Sequence, residues 1–166
     1  TSLIAGMIGI AIIVVLMIIV FRVSGIAAGW ALIVFTLLDL LALNAFDVTL
    51  TLPGIAGVIL TIGMAVDANI IIYTRTKEEI ALGAKVPDAI ESGFRKAFSA
   101  ILDGNVTTLI AAAVLFVLGS GSVRGFAETL AIGVIISMFS ALVVSKIISR
   151  AFVGLGIRSE KYYGKK

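Results

Sequence analysis

Asp67 and Asn69, a carboxylate and a carboxamide two residues apart, lie inside the otherwise apolar run Pro53 to Tyr73. A carboxylate held in such a run is unfavourable unless it has a task, so its first reading is functional. Apolar burial raises the pKa of a carboxyl group from about 3.9, by up to roughly 3 to 5 units when burial is complete. A group so placed can load and release a proton near neutral pH. The chain has no histidine to share that work.

Three further acids fall in or beside apolar stretches: Asp39, Asp103 and Glu128. Asp39 lies well inside its stretch and is an additional titratable candidate. Asp103 and Glu128 fall at stretch ends, where water or lipid headgroups solvate them and interfacial capping is the plainer role. If the run carrying Asp67 is one helix starting near Gly54, Asp67 lies about 20 Å along it, past the middle of a hydrocarbon core about 30 Å thick.

Small residues surround Asp67 at helical spacing. Gly63 precedes it by one turn, and Gly54, Gly57 and Thr61 lie on nearby faces, so another helix can approach closely. Thr129, Gly133, Ser137 and Ser140 form a second small, polar stripe, and Asn105, Thr108 and Ala112 a third. These are packing surfaces for the helix that carries Asp67. No basic residue lies in the middle of any apolar stretch, so either the carboxyl is mostly neutral or its counter-charge comes from a partner chain.

Composition fixes the elements that must position these groups. Hydrophobic residues make up 60% of the 166 and charged residues 14%, with a mean hydropathy of +1.19. That balance describes an all-α membrane protein rather than a water-soluble domain. With neither cysteine nor histidine, disulfide frameworks, most zinc, haem and iron-sulfur sites and Cys/His nucleophiles are excluded, and no cofactor is expected. The pI near 9.4 does not point to nucleic acid, because the basic residues do not cluster with aromatics on a soluble face.

Five stretches are apolar enough to cross a membrane: about 3–21, 26–46, 54–73, 99–118 and 126–148. They define a transmembrane domain over 1–150, with a loop over 74–98 and a basic tail over 151–166. In the loop, Glu78 and Glu79 belong to a short helix that Gly83 ends, and Pro87 suits the first turn of an amphipathic second one. That second helix either lies in the membrane interface or packs, solvated, on the loop ends. With five spans, all but Arg124 of the 13 lysines and arginines fall on one side. The positive-inside rule places the amino end outside and the carboxyl end in the cytoplasm. Starting at Thr1, the chain reads as a fragment or a processed product.

Several motifs together carry a family resemblance: Thr51-Leu52-Pro53-Gly54-Ile55-Ala56-Gly57, Gly63-Met64-Ala65-Val66-Asp67-Ala68-Asn69, Gly93-Phe94-Arg95-Lys96-Ala97-Phe98 and Ile101-Leu102-Asp103-Gly104-Asn105-Val106-Thr107-Thr108. To these are added Gly125-Phe126-Ala127 and Thr129-Leu130-Ala131-Ile132-Gly133. In order and spacing the chain resembles the SecD/SecF family of bacterial protein-export membrane proteins, within the RND superfamily. The resemblance implies the second to sixth of six spans, following a large extracytoplasmic domain. It implies a subunit of the Sec machinery in the cytoplasmic membrane that uses the proton gradient to assist translocation and is not an enzyme. A paired SecF subunit, the SecYEG channel, YajC, the translocating preprotein and membrane lipid would be its partners.

The resemblance also carries the family's intramembrane aspartate onto Asp67 as proton relay, with Asn69 beside it, and the family's Asp-x-Asn onto Asp103 and Asn105. The sequence departs from the pattern at Gly104, at Tyr73-Thr74-Arg75 and at Glu128, an extra titratable group near the outer mouth. Two other readings compete. In an intramembrane aspartyl protease Asp39 and Asp67 would share a proton, although an offset of roughly 10 Å in depth opposes that pairing. In a non-transporting scaffold, Asp67 would serve assembly alone.

Overall fold

Where no water reaches the backbone, each segment must satisfy its own N–H and C=O groups, and helices do so. The structure is a computed structural model that describes residues 8–9, 11–12, 15–16, 18–19, 23–48 and 51–155. Its described elements are helical throughout: α1 (Val23–Ala45), α2 (Leu52–Ala81), α3 (Val86–Leu118), α4 (Ser122–Phe139), a π turn (Ser140–Val144) and α5 (Ser145–Gly154). The last three follow one another without a break. The chain is thus of the expected all-α membrane class.

Among the described residues four helical stretches are long and apolar enough to cross a membrane: Gly25–Ala45, Leu52–Ala81, Val86–Leu118 and Ser122–Gly154. The span expected over 3–21 and the tail from 156 onward lie outside the described residues, apart from short helical pieces between 8 and 19.

Local chemistry sets the helix ends. Asp47, at φ +50°, closes α1, with the Val48 N–H donating to the Leu43 carbonyl and the Asp47 N–H to that of Asn44. Thr51 caps α2, its hydroxyl oxygen accepting from the Gly54 N–H at 3.2 Å, and Pro53 occupies the first turn. Gly83, at φ +96°, ends α2 by donating to the Ile80 carbonyl while Ala84 donates to that of Glu79.

The expected loop over 74–98 is nearly all helix. The short helix of Glu78 and Glu79 is the continuation of α2, and the amphipathic helix after Pro87 runs unbroken into the next span as α3. Only residues 82–85 form the turn. Charge in this region marks the ends of two long rods rather than a break. A 33-residue helix measures about 50 Å against a hydrocarbon core of about 30 Å, so its charged first turns project beyond the apolar layer.

Close crossings hold the bundle. α2 is the central element, packed against α3 and α4. A Cβ at Gly93 of α3 would lie 2.8 Å from the Thr76 backbone nitrogen, and one at Gly133 would press on the Thr61 side chain. One at Gly57 would collide with Thr129. Backbones therefore touch where side chains are absent, as apolar surroundings favour. Gly63 is different: a Cβ there would meet nothing within 4 Å, so no described helix uses it for close approach.

Candidate intramembrane site

The buried face of α2 runs through Gly57, Thr61, Ala65, Ala68 and Ile72. At about 100° per residue, Asp67 lies about 100° from Ala68 and Asn69 about 100° to its other side. The two polar residues therefore diverge. Asp67 is exposed on the outside of the chain, whereas Asn69 is 2% exposed and points into the bundle.

Asp67 lines a groove of about 290 Å³ between α2 and α3. Met64 and Ile71 flank it on its own helix; Gly104, Asn105 and Thr108 face it from α3. No lysine or arginine lines this groove, and Asp67 makes no ion pair among the described residues. Asn105 is 7% exposed; its Nδ2 donates to the Ile101 carbonyl at 2.7 Å, while its Oδ1 is buried without a hydrogen-bond partner. The Thr108 hydroxyl donates to the Gly104 carbonyl at 2.9 Å and keeps its acceptor capacity. The groove thus holds an exposed carboxylate with no cationic side chain in its lining. It can accept a proton, or donors brought by another molecule.

Asp67 is thus not buried by its own chain. Within the chain itself the buried aspartate is Asp39, 1% exposed, with Oδ1 unpartnered. Asp39 does not line the groove of Asp67, so the two carboxyls are not assembled as a dyad there. Asp103 is exposed and also outside the groove. Because α3 is continuous, it stands well within a helix rather than at the end of one. Glu128 is half-exposed in a separate apolar cleft of about 560 Å³ with Phe46, Phe116 and Ala131. Its carboxylate is 3.8 Å from the Arg124 guanidinium, which lies 4.1 Å from the centroid of the Phe116 ring.

Asn69 leads to residues that sequence reasoning missed. Its Nδ2 donates to the Ala65 carbonyl at 2.9 Å, and its Oδ1 accepts from the Ser145 hydroxyl at 2.6 Å. One turn on, the Tyr73 hydroxyl and Ser149 Oγ are 3.2 Å apart. At the start of the π turn, the Ser140 hydroxyl donates to the Ala31 carbonyl at 3.0 Å. These buried hydroxyls join α1, α2 and the last helical run. The five-residue step from Ser140 to Ser145, between positions otherwise spaced three or four apart, was the one trace of this in the sequence.

At the end of the bundle where the basic residues gather, ion pairs tie the projecting rods. Glu91 of α3 meets Lys146 at 2.8 Å and also Arg150, and Glu79 of α2 meets Lys96. Lys146 and then Arg150 hold the Glu91 carboxyl below the usual carboxylate range, and Lys96 does the same for Glu79. Both acids lie on the charged turns outside the apolar stretches.

Comparison with known proteins agrees with this architecture. The family described as protein export membrane protein SecD/SecF, C-terminal, matches residues 1–154. The protein translocase subunit SecD of Acidaminococcus fermentans is 51% identical over 166 residues, covering 99% of this chain and 40% of that protein. SecD of Synechocystis sp. is 54% identical over 145 residues, covering 87% of this chain and 31% of its own length. The chain therefore spans less than half the length of these relatives. The crystal structure of SecDF from Thermus thermophilus, described as a translocon-associated membrane protein, superposes with a TM-score of 0.87 at 41% identity, covering 91% of this chain and 21% of that one. With its motifs, its helical bundle and its match over nearly its whole length, the chain belongs to the SecD/SecF family of protein export membrane proteins.

Proposed function

We propose that this chain is the membrane segment of a SecD-type translocase subunit, in which Asp67 takes up and releases the ion that couples the proton gradient to protein export. One observation carries the reading: Asp67 is exposed on the outside of its chain, in a groove whose lining holds no lysine or arginine to pair with it. A carboxylate so placed at membrane depth calls for a proton or for donors from a second protein. A SecF-type subunit seated on the α2–α3 groove would bring those donors, and the pair would work beside the SecYEG channel and YajC on a translocating preprotein. Protonation would change how the two subunits hold each other, tilt the helices and move the extracytoplasmic part. The chain performs no covalent chemistry in this scheme.

The proposal includes placement in the bacterial cytoplasmic membrane, with 1–150 as the membrane domain and 151–166 as a basic cytoplasmic tail. The basic end faces the cytoplasm and Thr1 lies outside. Asn105 and Thr108 line the ion site, Asn69 supports it from the bundle side, and Glu128 is a separate titratable group near the outer mouth.

The test is Asp67→Asn in the full-length subunit, assembled with its partners in proteoliposomes. Gradient-stimulated export should fall at least about tenfold, with complex yield unchanged. Unchanged stimulation would overturn the assignment, and loss of the complex itself would favour the scaffold reading. Imposing a sodium gradient in place of a proton gradient identifies the coupling ion.

A further inference from the structure

Helix phase is the starting point. From Leu130 the buried positions continue through Val134 and Ser137 of α4 to Ala141 of the π turn at spacings of three or four. After the π turn they are Ser145, Ser149 and Val153. A straight helix of 3.6 residues per turn, extended from Leu130, would instead carry Val144, Ile148 and Phe152 to that face. The extra residue of the π turn rotates the last helical segment by roughly one position and brings two serines against α2.

Ser145 is then poised between two acceptors. Its hydroxyl carries one hydrogen. Asn69 Oδ1 lies 2.6 Å from Ser145 Oγ, and the Ser140 carbonyl of its own helix lies 3.3 Å away. In this structure the shorter contact holds the hydrogen. Were α2 to turn so that Asn69 moved away, the hydrogen would swing to the Ser140 carbonyl and no buried donor would be left unsatisfied. The cost of breaking the bond then falls on the buried Asn69 Oδ1 alone, where an orphaned polar group costs about 1 to 3 kcal/mol.

The other half of the joint is Asn69 itself. Its Nδ2 is fastened to the Ala65 carbonyl of α2, so the carboxamide moves with the helix that bears Asp67. Asp67 and Asn69 lie about 200° apart around that helix. Any rotation of α2 that shifts Asp67 within its groove shifts Asn69 the opposite way against Ser145.

We infer that the Asn69–Ser145 hydrogen bond is a make-and-break joint through which movement at Asp67 reaches the last helical segment, with Ser145 as its positioning residue. The inference rests on Asp67 being the coupling group. Beyond Ser145 the segment carries Lys146 and Arg150, both paired with Glu91 of α3, so a released joint changes how the basic end is held.

The test compares variants of the full-length subunit in its membrane complex, reading gradient-stimulated export, proton uptake and thermal midpoint separately. Ser145→Ala should cut stimulated export at least about fivefold while proton uptake that depends on Asp67 persists, an uncoupled phenotype that lost packing alone does not produce. The exchange variant Asn69→Ser with Ser145→Asn, which puts the carboxamide on the other side of the bond, should restore at least about half of the stimulation. Ser149→Ala removes an equally buried hydroxyl one turn further on and should leave stimulation within about twofold. Unchanged export in Ser145→Ala overturns the joint, as do parallel losses of export and stability in Ser145→Ala and Ser149→Ala. If Asp67→Asn is itself without effect, the reading of Asp67 fails first.

Discussion

Thr76 and Gly93 meet backbone to backbone where α2 and α3 cross near the basic end. A Cβ added at Gly93 would lie 2.8 Å from the Thr76 nitrogen and 2.9 Å from its Cα, and neither atom can swing aside. Gly93→Ala should therefore destabilise the folded chain by about 2 kcal/mol or more through overpacking, lowering the thermal midpoint of the purified protein by several degrees. Gly104→Ala is the control, since a Cβ there meets nothing within 4 Å; it should leave the midpoint unchanged or slightly raised.

The two intramembrane aspartates should separate cleanly on substitution. At Asp39 a carboxamide keeps an acceptor oxygen in the same volume, and the carboxyl Oδ1 has no hydrogen-bond partner to lose. Asp39→Asn should accordingly hold stability within about 1 kcal/mol and keep export stimulation near that of the parent, in contrast to Asp67→Asn. A collapse of stimulation in Asp39→Asn, measured in the same proteoliposomes, would move the ion pathway into the bundle.

Single-cysteine labelling can map the groove, because the chain has no cysteine of its own. Cysteines introduced at Met64 and Gly104, both lining the groove of Asp67, should react with a membrane-permeant maleimide in the lone subunit and be protected at least about fivefold after assembly with the SecF-type partner. A cysteine at Val117, 77% exposed at the far end of α3, should not change. Equal labelling of the groove positions before and after assembly would place the partner elsewhere.

The Glu91 cluster makes a pH prediction with a definite sign. Lys146 and Arg150 hold the folded-state pKa of Glu91 below its unfolded value. Their stabilisation is therefore complete above the ordinary carboxylate pKa of about 4.3 and is lost as pH falls through the lowered folded value. With the Glu91 side chain half exposed, the effect should be only about 0.5 to 1 kcal/mol. Glu91→Gln should lower the thermal midpoint at pH 7, and the gap to the parent should close in strongly acidic buffer or in 1 M salt. A gap that widens with acid would contradict the sign.

How much of this was legible in the residues varies with the physics involved. Run length and apolarity were enough for the helical membrane class, and Gly83 announced the end of α2. The two helices over 74–98 were legible from Gly83 and Pro87, but they were read as separate from the spans because charge reports solvent exposure; lysine, glutamate and alanine there are good helix formers that extend the rods past the apolar layer. Asp67 stood out by residue type and depth, but which side of its helix it faced depended on how α3 and α4 pack, which a single helix cannot reveal. Ser145 and Ser149 were harder to find: their position depends on the phase slip of the π turn, whose one trace is the five-residue step from Ser140 to Ser145, and nothing else in Ser140–Val144 differs chemically from an ordinary helical stretch.

The unbroken course of α3 has a mechanical consequence. Its tight crossing with α2 falls at Gly93, 7 residues from Val86 and 25 from Leu118, or about 10 Å from one end and about 38 Å from the other at 1.5 Å per residue. A tilt of about 5° around that fulcrum moves Val86 by about 1 Å and Leu118 by about 3 Å, given these lengths. The helix is a first-class lever with its short arm among the ion pairs of Glu91, so a small rearrangement at the basic end is magnified more than threefold at the opposite face of the membrane.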